Sequence, residues 1–274
     1  MIKKIKNNRM LNKVYRHYKK GILIDSIKEQ ILSVNQKVLY NGIYVKKKRR
    51  IFSNRLNDRP HCQGGEIKAH RKFTEIGDKV LVIGGGIGVS AINAAKIVGK
   101  SGKVIVYESN KTAVNHIKNN ISLNGVSSNC EVIHGVVGEV TDDKFTLGED
   151  VKKIPIEDLP ECDVIEMDCE GAEVEILKKL IVKPRVIIVE IHPHRTKESP
   201  DWVLFDLKSK GYDIEFRSTT GGYEIDETVL LDYLNKNKKL EKQSLDPLGE
   251  PKWPVVVAGY LNRKEIPKKD QGYK

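Results

Sequence analysis

The 274-residue chain lacks the long apolar runs of membrane and secreted proteins. No run approaches the roughly 18 apolar residues that a membrane-spanning helix needs. Near the N-terminus, the apolar run at 22–24 is too short, and too closely flanked by charged residues, to be the core of a signal peptide. We therefore predict no transmembrane segment and expect a cytoplasmic protein.

Cysteine is also scarce, since the chain contains only four and no C-x-x-C pair. They are Cys62, Cys130, Cys162 and Cys169. Without a secretory context, this pattern argues against a disulfide framework, and it lacks the ligand spacing of a zinc site. We expect free, buried thiols and predict no bound metal.

Acidic residues are rare in the first quarter of the chain. Residues 1–72 contain 20 Lys and Arg against 4 Asp and Glu, a net charge of +16, whereas the remaining 202 residues carry −5. Such a segment attracts polyanions, for example RNA or an anionic membrane surface. The alternative is a solvated surface helix.

The sequence divides into a basic N-terminal extension (1–72), a main domain (73–264) and a frayed tail (265–274). Apolar spacing predicts helices within 1–35, and a strand at 37–45 pairs with a short strand ending at residue 52. The main domain includes a long connection at 138–159 and a polar insert at 218–251. Its length and hydrophobic content, 39% over the chain, suit one large α/β domain.

Strands alternate with helices through the main domain, which indicates a doubly wound, mostly parallel sheet with helices on both faces. The predicted strands span 79–83, 103–107, 130–134, 163–168, 185–191, 212–216 and 255–261. The predicted helices span 66–74, 89–98, 111–124, 171–180, 201–210 and 227–237.

A glycine-rich loop joins the first of these strands to its helix. The loop contains Gly84, Gly85, Gly86 and Gly88. Glycines let the backbone approach a ligand closely, and the helix that follows points its N–H groups at it. Glu108 ends the second strand, 20 residues beyond Gly88, where it can accept hydrogen bonds from a ribose diol.

The glycine spacing distinguishes between nucleotide cofactors. The dinucleotide fingerprint G-x-G-x-x-G/A needs a small third residue, which here is Val89. The spacing present is G-x-G-x-G, which resembles motif I of the class I S-adenosylmethionine (SAM) methyltransferases. Those enzymes usually carry an acid at the position of Val82, so the chain departs from their pattern there.

Two later segments extend this resemblance. The first reads D-x-E-G-x-E and the second E-x-H-P, formed by Asp168, Glu170, Gly171 and Glu173 and by Glu190, His192 and Pro193. Together with motif I and Glu108, they make residues 77–193 resemble the FkbM family of SAM-dependent methyltransferases. The resemblance implies SAM as cofactor and a Rossmann-like class I methyltransferase fold whose last strand is antiparallel. The chain departs from the family at Glu166, where a basic residue is expected.

The candidate site residues lie at the carboxyl ends of the predicted strands, where ligands bind in open α/β sheets, and the resemblance implies the position of the adenine. Those expected to bind SAM are Gly84, Gly85, Gly86, Gly88, Glu108, Val137 and Asp168, with the adenine near residues 135–139. Asp168 and His192 are the candidate catalytic residues, as proton acceptors from an acceptor hydroxyl. Glu170 and Glu173 lie in the first turn of a helix, where a negative charge gains about 0.3–1 kcal/mol.

The acceptor is left open by the sequence. Our first interpretation is an O-methyltransferase acting on a hydroxyl of a sugar, glycan or small metabolite, because the Pro-Pro-Tyr-type signatures of N-methyltransferases are absent. One alternative is an RNA methyltransferase that binds phosphates with its basic segment. The other is a nucleotide-binding module without enzymatic activity. A divalent-ion site at Asp168, Glu170 and His192 is conceivable, but no tight ligand spacing supports it.

Overall fold

The structure is a computed structural model of the chain. It describes residues 33–50, 58–138, 151–192, 195, 198–199, 201–237 and 255–261. Two compact units are present, one formed by residues 1–38 and 46–57 and the other by residues 39–45 and 58–274. The second unit contains the glycine loop and both FkbM-like segments.

The described strands are β1 (Ser33–Tyr40), β2 (Ile43–Arg50), β3 (Lys79–Ile83), β4 (Lys103–Glu108), β5 (Cys130–Val137), β6 (Lys152–Ile154), β7 (Val164–Met167), β8 (Val186–Ile191), β9 (Tyr212–Thr219) and β10 (Val255–Leu261). The described α-helices are α1 (Gly64–Phe73), α2 (Val89–Val98), α3 (Lys111–Leu123), α4 (Glu173–Lys179), α5 (Trp202–Ser209) and α6 (Glu227–Asn237). Short 3₁₀ helices occur at Gly99–Ser101 and Ile156–Asp158.

One eight-stranded sheet has the order β6-β5-β4-β3-β7-β8-β10-β9, and β1 pairs with β2 in a separate two-stranded sheet. The strands from β6 to β8 in this order are parallel to their neighbours. β10, the last of the described strands, is antiparallel to both β8 and β9. The predicted class I methyltransferase fold is therefore confirmed, including its antiparallel last strand.

The central strands are apolar because the sheet is covered on both faces. Every residue of β7 and of β8 is buried, and so are four of the five residues of β3. The chain passes from β3 to β4 on one side and later returns to β7 on the other. This reversal creates a topological switch point between β3 and β7, where ligands bind in open α/β sheets.

The N-terminal hairpin differs from the sequence-based prediction. The single strand expected at 37–45 is the end of β1, a tight turn and the start of β2. Asn41 and Gly42 form the turn with φ angles of 51° and 78°, the positive values that an Asn-Gly hairpin turn requires. Residues 33–35, expected to be helical, belong to β1, while residues 1–32 and the expected strand end at 52 lie outside the described residues.

Another difference lies in the connection that was predicted between 138 and 159. It contains β6, which pairs in parallel with the end of β5, and the second 3₁₀ helix. Three residues are too few to give a periodic signal, so β6 was missed. Three segments lie outside the described residues. They are residues 139–150, residues 238–251 of the polar insert, and the predicted tail at 265–274.

The described part of the chain contains no helix that is both long enough and apolar enough to cross a membrane. All four cysteines fall within it, and Cys130, Cys162 and Cys169 are free thiols. Cys130 and Cys162 are buried as expected, while Cys62 and Cys169 are only partly buried.

A buried polar network ties α1 and α2 to the centre of the sheet. Glu166 of β7 accepts a hydrogen bond from Ser90 Oγ at 2.7 Å, and its other oxygen lies 2.5 Å from His70 Nε2 of α1. His70 Nδ1 in turn lies 2.8 Å from Thr74 Oγ1. The chain thus pairs an acid in β7 with a basic side chain from α1.

We predict that Glu166→Ala lowers the free energy of unfolding by about 3 kcal/mol, because it leaves buried His70 and Ser90 without their acceptor. Urea unfolding measures this change. The control is Glu131→Ala, at an exposed position of β5, with an expected change below about 0.5 kcal/mol. Equal losses in the two variants would show that the network contributes nothing.

Candidate active site

The loops that follow β3 and β7 are in contact at the carboxyl edge of the sheet. The backbone N–H of Asp168 donates to the Ile83 carbonyl at 2.9 Å. A Cβ atom on Gly84 would lie only 1.7 Å from the Asp168 carbonyl oxygen, so only glycine fits there. The glycine loop and Asp168 are therefore adjacent at the switch point.

The four glycines of the loop have different roles. Gly84, Gly86 and Gly88 have φ angles of 90°, 53° and 84°, a region that favours glycine. A Cβ on Gly85 would collide with side chains of the core. A Cβ on Gly86 would meet nothing closer than Gln63 Nε2 at 3.8 Å, so Gly86 is the glycine that a ligand can approach.

Glu108 is 8% exposed and holds the loop in shape. One carboxylate oxygen accepts a hydrogen bond from the Gly86 N–H at 3.0 Å, and the other accepts from the Asn110 N–H at 2.8 Å. Each oxygen keeps a further lone pair for a ligand hydroxyl. Glu108 is therefore not a solvent-facing acid. The position of its carboxylate suits the predicted contact with a ribose.

Gln63 adds a contact that the sequence did not reveal. It is the N-cap residue of α1, in a left-handed conformation with φ 52°. Its Oε1 is buried without a hydrogen-bond partner among the described residues. Its Nε2 lies beside the open face of Gly86, whose N–H is bonded to Glu108, so the three residues form a polar cradle where the cofactor is expected to lie.

Val137, at the end of β5, lies within the main hydrophobic cluster and is 3% exposed. The next N–H, of Gly138, donates to the Ile154 carbonyl of β6 at 2.9 Å. Among the predicted cofactor residues, Val137 is thus the one placed in the core. A contact between Val137 and the adenine stays a prediction, and Glu139 of the expected adenine loop lies outside the described residues.

Glu173 holds the loop of the D-x-E-G-x-E motif in place. Its side chain accepts hydrogen bonds from the backbone N–H groups of Cys169 and Gly171 at 2.9 and 2.7 Å. Within this loop, Glu170 has a φ angle of 58° and Gly171 one of 108°. Glu173 is 2% exposed, so the expectation that it serves mainly the helix dipole understates its role.

His192 lies beside this loop and is 5% exposed. Its Nδ1 is 3.0 Å from Glu173 Oε1, and its Nε2 lies 3.5 Å from a Glu170 oxygen and 3.8 Å from Asp168 Oδ1. Burial alone would lower the pKa of His192, but the hydrogen bond and charge of Glu173, with the charges of Asp168 and Glu170, raise it. The two predicted catalytic residues are therefore neighbours, and Glu173 orients the imidazole.

Two buried glutamates complete the cluster around Asp168. Glu66 of α1 and Glu190 of β8 are 1% and 7% exposed, and one carboxylate oxygen from each lies within 4.8 Å of an Asp168 oxygen. The pKa of Glu66 and that of Glu190 are raised well above the usual range. Burial is the largest cause, and the charges of the neighbouring carboxylates add to it. Burial likewise raises the pKa of Asp168 to about 6, although the hydrogen bond from Glu190 opposes this.

Glu66 was not identified as a site residue from the sequence. A weak signal was present, because Glu66, His70 and Phe73 recur at helical spacing on the buried face of α1. Acidic residues are seldom fully buried without a partner, so a glutamate on such a face is informative.

Two family models match the chain. A model described as the methyltransferase FkbM domain matches residues 135–214, which include Asp168, Glu173 and His192. A model described as protein-L-isoaspartate(D-aspartate) O-methyltransferase matches residues 6–140, which include the glycine loop and Glu108. Both models describe methyltransferases, so the predicted resemblance to the FkbM family is confirmed, and so is SAM as the predicted cofactor.

The fold of this chain resembles those of solved methyltransferase structures. A SAM-dependent methyltransferase from Aquifex aeolicus shares 17% identity over 74% of this chain and 93% of that chain, with a TM-score of 0.43. TrmK of M. capricolum, solved with S-adenosylhomocysteine, shares 12% identity over 72% of this chain and 67% of that chain, with a TM-score of 0.42. No curated protein sequence matches the chain significantly.

We predict that Gly86→Ala abolishes measurable binding of S-adenosylhomocysteine while the protein stays folded, because the added methyl group enters the open cradle without striking the protein. Calorimetric titration measures the affinity. Gly125→Ala is the matched control, since Gly125 also has a positive φ and open space but follows α3 at the opposite edge of the sheet. If both variants bind like the wild type, the loop is only a turn.

Proposed function

We propose that the enzyme transfers the methyl group of SAM to a hydroxyl oxygen of a sugar, glycan or other small metabolite. The observation that carries this proposal is the position of Asp168 and His192, 3.8 Å apart beside the glycine loop. A hydroxyl acceptor must lose its proton as the new C–O bond forms, so it needs a proton acceptor close to the cofactor.

Different residues of the chain have different roles in this reaction. Gly86 and Glu108 hold the nucleoside end of the cofactor, which supplies an electrophilic methyl group on a sulfonium. Asp168 presents its carboxylate to that cationic region and orients the acceptor hydroxyl. His192 takes the proton at Nε2, because Glu173 holds Nδ1 at 3.0 Å and keeps the ring in this orientation.

Positioning supplies much of the rate in such a transfer. The methyl group moves in line from sulfur to oxygen, and holding two reactants together is worth about 7–11 kcal/mol in favourable cases. The rigid contact between the loops after β3 and β7 provides this alignment. Burial of Glu173 and His192 also keeps water from competing for their hydrogen bonds.

RNA is a second candidate acceptor, favoured by the net charge of +16 in residues 1–72. A basic segment binds phosphates without regard to sequence and loses affinity as salt rises. The match to the isoaspartate methyltransferase model adds a protein carboxylate as a third class of oxygen acceptor.

The acceptor class can be tested by incubating the full chain with methyl-labelled SAM and panels of glycans, RNA and isoaspartyl peptides. We expect label in the glycan or metabolite fraction that survives mild alkali, because methyl ethers are stable whereas carboxyl methyl esters hydrolyse. Label confined to RNA or to alkali-labile peptide would contradict the proposal.

We predict that Asp168→Asn and His192→Gln each lower the rate of methyl transfer by about 10²–10⁴-fold, the usual contribution of a general acid or base. Affinity for S-adenosylhomocysteine should change little. Glu175→Gln is the control, since Glu175 lies on α4 two residues beyond Glu173 but makes a solvent-exposed ion pair with Lys178. Near-normal rates in both site variants would remove these residues from the mechanism.

A further inference from the structure

Three carboxyl groups converge at the carboxyl edge of the sheet. They belong to Glu66 of α1, Asp168 after β7 and Glu190 of β8, and one oxygen from each lies within 4.8 Å of the others. Because three separate elements supply them, no spacing in the sequence reveals the group. Asp168 is the most accessible member, with 20% of its side chain exposed.

Glu66 is the member whose environment points to a ligand. Its side chain is buried, and its Oε2 has no hydrogen-bond partner among the described residues. A buried carboxylate oxygen without a partner is costly, and the Glu66 side chain lies beside two further carboxyl groups. His192 Nε2 lies 3.8 Å from Asp168 Oδ1.

We propose that Glu66, Asp168 and Glu190 bind a divalent cation of the Mg²⁺ or Mn²⁺ type. An all-carboxylate donor set is the one that hard cations prefer, and three protein oxygens leave coordination positions open. Entry is through the exposed part of Asp168. Glu66 and Glu190 hold the ion from the buried side.

A second set of possible ligands, formed by Asp168, Glu173 and His192, is equally compact. Glu173 and His192 of this set are already bonded to each other, however. Glu173 accepts hydrogen bonds from the N–H groups of Cys169 and Gly171 and also contacts His192 Nδ1. Binding an ion there would break the contacts that shape the motif loop, so the set containing Glu66 is the better site.

The role of the ion rests on the proposed function, whereas its binding does not. An ion held beside Asp168 would coordinate the oxygen of the acceptor hydroxyl and lower its pKa. The hydroxyl proton then passes to His192 Nε2, and the C–S bond of SAM breaks as the C–O bond forms. The products are the methylated acceptor and S-adenosylhomocysteine.

The test uses the full chain, stripped with a chelator and free of SAM, titrated with Mn²⁺ while electron paramagnetic resonance reports the free ion. We expect one bound Mn²⁺ per chain, displaced by Mg²⁺. Glu66→Gln and Glu190→Gln should each weaken Mn²⁺ binding by at least about tenfold, since the loss of even a supporting contact has that effect. Glu131→Gln removes an exposed carboxylate and should bind Mn²⁺ like the wild type.

Two results would overturn the site: no Mn²⁺ binding by the wild type at millimolar concentrations, or unchanged binding in both glutamine variants. A loss of S-adenosylhomocysteine affinity in Glu66→Gln with no effect on Mn²⁺ also overturns it, and assigns the cluster to the cofactor's own positive charge. Thermal unfolding checks that each variant is folded. Mn²⁺ binding without methyl transfer to hydroxyls would support the site and contradict only the proposed function.

Discussion

The contact between Gly84 and the carbonyl of Asp168 is the constraint on which the candidate active site depends. No side chain fits at Gly84, since a Cβ would lie 1.7 Å from that carbonyl oxygen. The contact fixes the distance between the glycine loop, the proposed cofactor site, and Asp168, the proposed catalytic carboxylate. Because both loops end parallel strands on either side of the switch point, the sheet itself sets this geometry.

Helix α1, which precedes the first strand of the large sheet, brings polar groups to the same edge. His70 pairs with Glu166, Glu66 joins Asp168, and Gln63 faces the glycine loop. Buried polar groups of this kind are costly unless each has a partner. The pair at Glu166 is satisfied within the protein, whereas one side-chain oxygen of Glu66 and one of Gln63 have no hydrogen-bond partner among the described residues.

The sequence predicted every strand of the eight-stranded sheet except β6. It also placed Gly84, Glu108, Asp168 and His192 at strand ends, because these residues follow or end apolar runs. It missed Glu66 as a site residue because α1 reaches the edge through tertiary packing, which no local spacing encodes. Glu173 was assigned to the helix dipole because acids are common in first turns, and its buried contacts appear only in three dimensions. The Asn-Gly pair at 41–42 is a local signal for a hairpin turn, but the prediction from the sequence placed a single strand there.

A crystal structure of the complex with S-adenosylhomocysteine tests the central claim most directly. The account predicts that the ribose hydroxyls lie on the carboxylate of Glu108, that Gly86 lies against the ligand, and that the sulfur faces Asp168. A ligand bound away from the carboxyl edge, or a ribose without contact to Glu108, would contradict it.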